Sequence, residues 1–225
     1  PPGLFNLVMG SGRAVGQRLA ECAGIDAISF TGSVQVGKGI AAAAIPNLTK
    51  LQMEMGSKNA LAVMDDADLD LAVAAAVNGA FSGTGQKCTA SARLVVQDGI
   101  HDAFVEALAA AAEGLRVGHA LEPETQMGPV VSAEQLAQNM ASMDLARREG
   151  GEVVSGGVRL ERPTEGHYMS PAVIAGTAND WEVNREELFA PIACIIRVGS
   201  YEEALATVND TRFGLTSGIC TRDLA

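Results

Sequence analysis

Short apolar runs alternate with helix-period stretches along the first part of the chain, and Gly or Pro marks the joints. Phe5-Asn6-Leu7-Val8-Met9 reads as a strand, and Gly10-Ser11-Gly12 turns it into a helix with Val15, Leu19 and Ala20 on one face. Residues 25–30 read as a second strand, closed by Thr31-Gly32-Ser33. A helix through Val36, Ile40 and Ala44 follows until Pro46 stops it. Residues 51–55 make a third strand. Strand, helix, strand, helix, strand is the pattern of a parallel sheet with helices on its faces.

The pattern continues on a larger scale. Residues 60–64 read as a strand, and Asp65, Asp66 and Asp68 place negative charge at the start of a helix running through Leu71 and Ala75 towards Phe81. A glycine-rich loop, Gly83-Thr84-Gly85-Gln86-Lys87-Cys88, leads to the strand Arg93-Leu94-Val95-Val96. Phe104, Leu108 and Ala112 recur at spacings of four, which predicts an amphipathic helix over 101–115. Ser132 and Gln135 predict a capping box for another helix, ending near Gly150-Gly151. Further strands are expected at 169–174 and 193–198, and a helix at 201–209. The fold class is α/β, with two sub-domains meeting near residue 57.

Composition narrows the function. With 225 residues, 48% of them hydrophobic, the chain can form one substantial core or two small ones. Lys plus Arg number 16 against 27 Asp plus Glu, a formal net charge of −11. Such a surface repels phosphate backbones and anionic lipid, so neither nucleic acid nor a membrane is expected as a partner. Cys22, Cys88, Cys194 and Cys220 have no CxxC spacing and no signal-like stretch precedes them, which predicts free thiols in a reducing, cytoplasmic compartment. His101, His119 and His167 lack neighbours at ligand spacing, so no metal site is expected. The chain begins Pro1-Pro2-Gly3 and stops at Ala225, and neither end reads as a natural terminus.

Four places carry candidate chemistry. Gly10 to Gly16 follows a strand and opens a helix like a dinucleotide fingerprint, but has one residue too many before its last Gly; a plain tight turn explains it as well. Gly32 and Ser33 also stand between a strand and a helix, where backbone N–H groups attract phosphate, unless Ser33 merely caps the helix. Cys88 ends a loop whose glycines let backbone amides converge, with Lys87 beside it, a setting that suits a thiolate nucleophile; a structural thiol is the competing reading. The other three cysteines read as core thiols. Glu54 interrupts an apolar strand just before Gly56, and a sheltered carboxylate at a strand end facing a cleft suits a general base; an edge-strand charge is the alternative.

Together these pieces resemble the aldehyde dehydrogenase superfamily over essentially the whole chain, and in the same order. Phe30-Thr31-Gly32-Ser33 with Gly37 resembles the family's cofactor loop, Met53-Glu54-Met55-Gly56 with Lys58 its glutamate motif, and Gly85-Gln86-Lys87-Cys88 its nucleophile motif. Glu54 and Cys88 lie 34 positions apart, the family's usual spacing. Asp65 to Leu69, Met127-Gly128-Pro129, Arg185 to Phe189, and Asn209-Asp210-Thr211 with Phe213-Gly214-Leu215 resemble four further blocks.

The resemblance implies a Rossmann-like cofactor domain ending over residues 1–57 and most of an α/β catalytic domain over 58–225, both cut from a longer, homo-oligomeric parent, dimer or tetramer. It also implies a reaction. Cys88 attacks an aldehyde, a hydride passes to NAD or NADP, and a thioester remains on Cys88 until Glu54 activates water to hydrolyse it. The Cys88 N–H would help hold the oxyanion. By the same resemblance Gly32, Ser33 and Gly37 lie along the cofactor with Met55, while Glu187 and Phe189 contact the nicotinamide ribose. The presence of Glu54 speaks against the branch that passes the acyl group to coenzyme A. The runs around Cys88 and Asn209 look most like the semialdehyde-oxidising branch that includes α-ketoglutaric semialdehyde dehydrogenase, so a small polar aldehyde or semialdehyde is expected. The segment alone is expected to be inactive.

Three positions depart from the family pattern. Ser57 and Ala190 stand where Gly is usual, and Gly83 stands where a polar residue is usual. A Gly held there at positive φ would make each replacement cost on the order of 1 kcal/mol. These departures leave open a non-catalytic, aldehyde dehydrogenase-like scaffold or ligand-binding member. A thiol acyltransferase pairing Cys88 with a distant His is the third reading.

Overall fold

The strand–helix alternation of the first fifty-odd residues holds in the computed structural model, which describes residues 1–224, except at its start. Ala27–Gly32 (β1) and Lys50–Met55 (β2) pair in parallel, with Thr31 opposite Glu54. The helix between them, Val34–Ala44 (α2), is N-capped by the Ser33 hydroxyl, which accepts from the Val36 N–H at 3.3 Å. Before β1 come a π-helical turn at Gly12–Gly16 and a short helix, Gln17–Ala20 (α1), of which Ala20 alone is buried. Residues 5–9, expected as a strand, form none, and Phe5, Leu7, Val8 and Met9 are exposed. A strand exists only through its ladder. β1 and β2 bond each other alone, so that run has no partner among the described residues.

The chain divides into two compact units, Pro1–Gly56 and a second that begins at Ser57. The sequence boundary after residue 57 thus moves back by one, and Ser57 goes with the second unit.

The second unit is built on a six-stranded sheet. Its strands are Asn59–Val63 (β3), Ser91–Gln97 (β4), Glu152–Ser155 (β5), Ala172–Ala175 (β8), Ile192–Val198 (β9) and Ser217–Cys220 (β10), in the order β10-β3-β4-β9-β8-β5. All neighbours are parallel except β5 on β8. Arg159–Leu160 (β6) and Tyr168–Met169 (β7) form a separate antiparallel pair. The strand expected at 169–174 is therefore two strands in two sheets. Pro171 lies between them, and proline has no N–H to continue a ladder.

Alternation along the central strands assigns the helices. Leu61, Val63, Leu94, Val96, Ala193 and Ile195 turn to one face, where they pack with Leu69–Phe81 (α3) and Asp98–Glu113 (α4). Ala60, Ala62, Val95, Ile196 and Val198 turn to the other, where Ala204 of Tyr201–Asn209 (α7) covers them. Further along that face Ile192 and Cys194 meet Leu136, Met143 and Ala146 of Ala133–Glu149 (α5) and Val183 of Glu182–Arg185 (α6). Only half of the expected capping box forms at α5. The Ser132 hydroxyl accepts from the Gln135 N–H, whereas the Gln135 amide donates to Asn139 and the Leu188 carbonyl.

Candidate active site

Parallel strands leave their loops at one end of a sheet, and Cys88 lies in the segment that leads into β4. After α3 the chain enters a tight turn in which Gly83, Thr84 and Gly85 all hold left-handed backbone, with φ of 62°, 62° and 64°. Gly85 cannot be replaced there without movement, because a Cβ would overlap the Ala190 carbonyl. Thr84 is β-branched, so its conformation costs roughly 1–2 kcal/mol. It is nevertheless buried, and its hydroxyl donates to the Gly128 carbonyl at 3.3 Å. Gln86 adds a tie, accepting from the Val131 N–H at 3.1 Å. Cys88 itself is half-buried.

On its other side the Cys88 segment is held by Asn59, a residue with no motif to single it out. The Asn59 amide donates to the Cys88 carbonyl at 2.7 Å and to the Ala90 carbonyl at 3.0 Å. Its oxygen accepts from the Ser57 hydroxyl at 2.8 Å and from the Thr216 N–H at 3.0 Å. The signal available in the sequence was a polar residue opening a wholly buried strand.

Ser57 has a second bond, its N–H donating to Glu187 Oε1 at 3.1 Å. Burial pushes the half-buried Glu187 carboxyl above its usual range, opposed by that N–H and by the Lys58 charge. Lys58 is 1% exposed, and its Nζ has no hydrogen-bond partner among the described residues. Burial lowers its pKa to about 8, with the nearby Arg93 charge acting in the same direction. Arg93 is buried as well, but four hydrogen bonds engage it. Its guanidinium donates to the carbonyls of Lys58, Thr207 and Val208 and to Asn179 Oδ1.

Phe189 is 38% exposed and, like Thr84, sits at positive φ, 53°. With Gly83, Thr84, Gln86 and Pro129 it lines a groove of about 620 Å³ beside the nucleophile loop. The two departures that add a Cβ are unstrained, since neither Ser57 nor Ala190 has a positive φ. Gly83 does have one, which accounts for a glycine there.

In the first unit Glu54 is the penultimate residue of β2 and is exposed; the burial expected of it is absent there. The reason is its setting, a two-stranded sheet whose residues are mostly open to solvent. Ser33 caps α2, and Gly32 ends β1. Gly37 lets Met55 lie against α2, for a Cβ there would fall 2.5 Å from Met55 Sδ. Gly10 to Gly16 is turn geometry, with Ser11 accepting from the Ala14 N–H.

Of the thiols expected in cores, Cys194 is buried, its pKa pushed up to about 11 by burial, and Cys220 is half-buried. Cys22 is exposed, because it follows a one-turn helix that buries only Ala20. Among the described residues no group of three or more His, Cys, Asp or Glu is placed to hold a metal ion, and no helix is long and apolar enough to cross a membrane.

A model of the aldehyde dehydrogenase family matches residues 1–225. The chain is 42% identical over 226 residues to the alpha-ketoglutaric semialdehyde dehydrogenase of Bacillus subtilis (strain 168), covering 100% of this chain and 46% of that protein. It is 43% identical over 224 residues to a betaine aldehyde dehydrogenase of Cereibacter sphaeroides (strain ATCC 17029 / ATH 2.4.9), with the same coverage. The chain thus spans about half the length of the curated relatives it matches. Among solved structures, the betaine aldehyde dehydrogenase of Staphylococcus aureus in complex with NAD+ superposes with a TM-score of 0.93 at 33% identity, covering 96% of this chain and 43% of that one. Family model and relatives match along the chain's whole length and the fold agrees over 96% of it, and the chain belongs to the aldehyde dehydrogenase family.

Proposed function

We propose that the whole protein containing this chain oxidises a small polar aldehyde or semialdehyde to the carboxylic acid, with NAD+ or NADP+ as hydride acceptor. The observation that carries this reading is the setting of Cys88, half-buried between a left-handed turn and two clamped carbonyls. A nucleophile held in place reaches a carbonyl carbon without first being ordered.

Each unit, taken by itself, offers groups that suit part of a dinucleotide. The first-turn N–H groups of α2, behind Gly32 and Ser33, offer donors to a pyrophosphate, and Met55 lies against that helix at Gly37. The Glu187 carboxylate, steadied by the Ser57 N–H, is an acceptor for ribose hydroxyls, and the exposed Phe189 ring offers it an apolar wall. When bound, the nicotinamide supplies the hydride acceptor.

The chain's own groups do the rest. Cys88 Sγ, as thiolate, bonds to the aldehyde carbon. The Cys88 N–H donates to the oxygen that becomes negative. Loss of hydride leaves a thioester on Cys88. The Glu54 carboxylate takes a proton from water as the water's oxygen attacks the thioester, which releases the acid and returns the thiolate. The Bacillus and Cereibacter relatives, named for a semialdehyde and for betaine aldehyde, support a small polar substrate. Neither Ser57 nor Ala190 is at positive φ, so neither added Cβ is strained, which supports the catalytic reading. We further infer a cytoplasmic protein without nucleic-acid or membrane partners, which the four free thiols and the charge of −11 support, and, from the family resemblance, a homo-oligomer.

In the whole protein, Cys88→Ala is expected to abolish oxidation. Glu54→Gln is expected to leave one rapid burst of reduced cofactor and then stall, because the thioester forms but is not hydrolysed. Normal turnover by the Cys88→Ala protein would sink the assignment.

A further inference from the structure

The register between β3 and β4 breaks where the nucleophile segment meets the sheet. Asn59 pairs with Ser91 but Ala60 pairs with Arg93, so one extra residue, Ala92, is accommodated on β4. A bulge leaves ladder groups without their regular partners. Just ahead of it the Asn59 side chain holds the incoming segment, its two N–H bonds directed to the carbonyls of Cys88 and Ala90.

The orientation of that amide is forced. Cys88 and Ala90 present carbonyls, which only accept, and the Thr216 N–H only donates. With the Ser57 hydroxyl donating to the same oxygen, all four hydrogen-bonding sites of the amide are used inside the protein, and Ser57 and Asn59 are both buried. Asn59 is 3% exposed, so water offers little substitute for a lost partner.

The Ser57 hydroxyl comes from the residue that replaces a usual glycine in the glutamate motif. Its backbone N–H goes to Glu187 and its side chain goes to Asn59, so the two functions are separable by substitution. A glycine at 57 would keep the first bond and lose the second.

We propose that Asn59 is a positioning residue for Cys88, and that the Ser57 hydroxyl locks the Asn59 amide in the orientation that holds the nucleophile's main chain. Fixing the Cys88 carbonyl fixes the peptide on the C-terminal side of Cys88, while the turn at Gly83–Gly85 fixes the N-terminal side. Together they restrict the direction of Sγ and of the Cys88 N–H. The proposal rests on the reading of Cys88 as nucleophile. It predicts an effect on the rate of the chemical steps with cofactor affinity preserved.

The test uses the whole protein and compares Ser57→Ala, Ser57→Gly and Asn59→Asp with the parent. The readouts are kcat, the KM for NAD+, and hydrogen exchange of the amides of residues 86–90. Both Ser57 variants are expected to lose about tenfold in kcat, the worth of one buried hydrogen bond. Their KM for NAD+ should stay within about twofold, and the amides of residues 86–90 should exchange faster. Asn59→Asp, which replaces both donors by an acceptor, is expected to lose about a hundredfold. If it fails to fold, the two Ser57 variants decide alone.

Unchanged kcat and exchange in both Ser57 variants would overturn the proposal. So would a loss carried by the KM for NAD+, which would mean that Ser57 acts through Glu187. A difference between the alanine and glycine variants would show that the Cβ acts and not the hydroxyl. Should the parent itself oxidise no aldehyde with NAD+, the functional reading fails, and hydrogen exchange still decides whether Ser57 and Asn59 hold the Cys88 segment.

Discussion

Cys88 and Glu54 both stand where a strand meets a loop, yet their surroundings are built in different ways. Around Cys88 the main chain is held by three left-handed residues, by a glycine pressed on the Ala190 carbonyl, and by the Asn59 amide. Behind it lie apolar clusters on both faces of a six-stranded sheet. Glu54 is the penultimate residue of one strand of a two-stranded sheet whose side chains are mostly open, in a unit where Ala20, Gly37 and Ala44 are the buried residues. The packing around Cys88 is built within the second unit itself, whereas the openness around Glu54 belongs to a chain that spans about half the length of the curated relatives it matches.

Substituting matched glycines breaks or sharpens the contrast. Gly85→Ala should destabilise the protein by about 3 kcal/mol or more, since both its φ and the Ala190 carbonyl oppose a Cβ. A urea midpoint for this variant equal to that of the parent would show that the nucleophile turn is not over-determined.

Next in size is Lys58→Met, which goes the other way. Its pKa is lowered to about 8 from 10.5, so the unfolded chain holds that proton more tightly than the folded one. The resulting penalty, on the order of 3 kcal/mol, is complete below pH about 8 and fades as pH rises towards 10.5. Cys194, raised to about 11, works against this above its ordinary 9.0, because the unfolded thiol ionises first. Lys58→Met should therefore raise stability most below pH 8 and progressively less above it. Thermal unfolding across that range checks this, and a lower melting temperature at neutral pH would mean the ammonium is paired in the whole protein.

The smallest effect belongs to the first unit. Gly39 lies in the exposed interior of α2 with open space where its Cβ would be. Gly39→Ala should stabilise α2 by about 0.5–1 kcal/mol, the ordinary helix preference of alanine. Slower hydrogen exchange in the α2 amides is the measurement. Faster exchange would place a packed neighbour over that face.

Much of the fold could be read along the chain, for local reasons. α3, α4, α5 and α7 have apolar spacing or a capping residue within a turn, and β3, β4 and β9 are apolar runs between turn signals. The failures have a common cause. Residues 5–9 have the composition of a strand but no ladder partner among the described residues, and 169–174 is one apolar run that Pro171 divides between two sheets. β10 passed unnoticed because Ser217-Gly218-Ile219-Cys220 has no apolar pattern; its pairing with β3 makes it a strand. In the candidate site, Cys88 and Glu54 stood out by residue type and spacing, whereas Asn59 looked like an ordinary polar residue ahead of a strand.

The sequence by itself determined the order of most elements, the family, and the candidate residues Cys88 and Glu54, because each rests on neighbours within a turn or on motifs kept in register. Only the tertiary structure decided what holds those residues. Ser57 meets Glu187 across 130 positions, Thr216 meets Asn59 across 157, and the glycine at 85 is explained by a carbonyl at 190. Such contacts leave no local period or composition to read. They arise where parallel strands distant in sequence bring their loops to one end of a sheet.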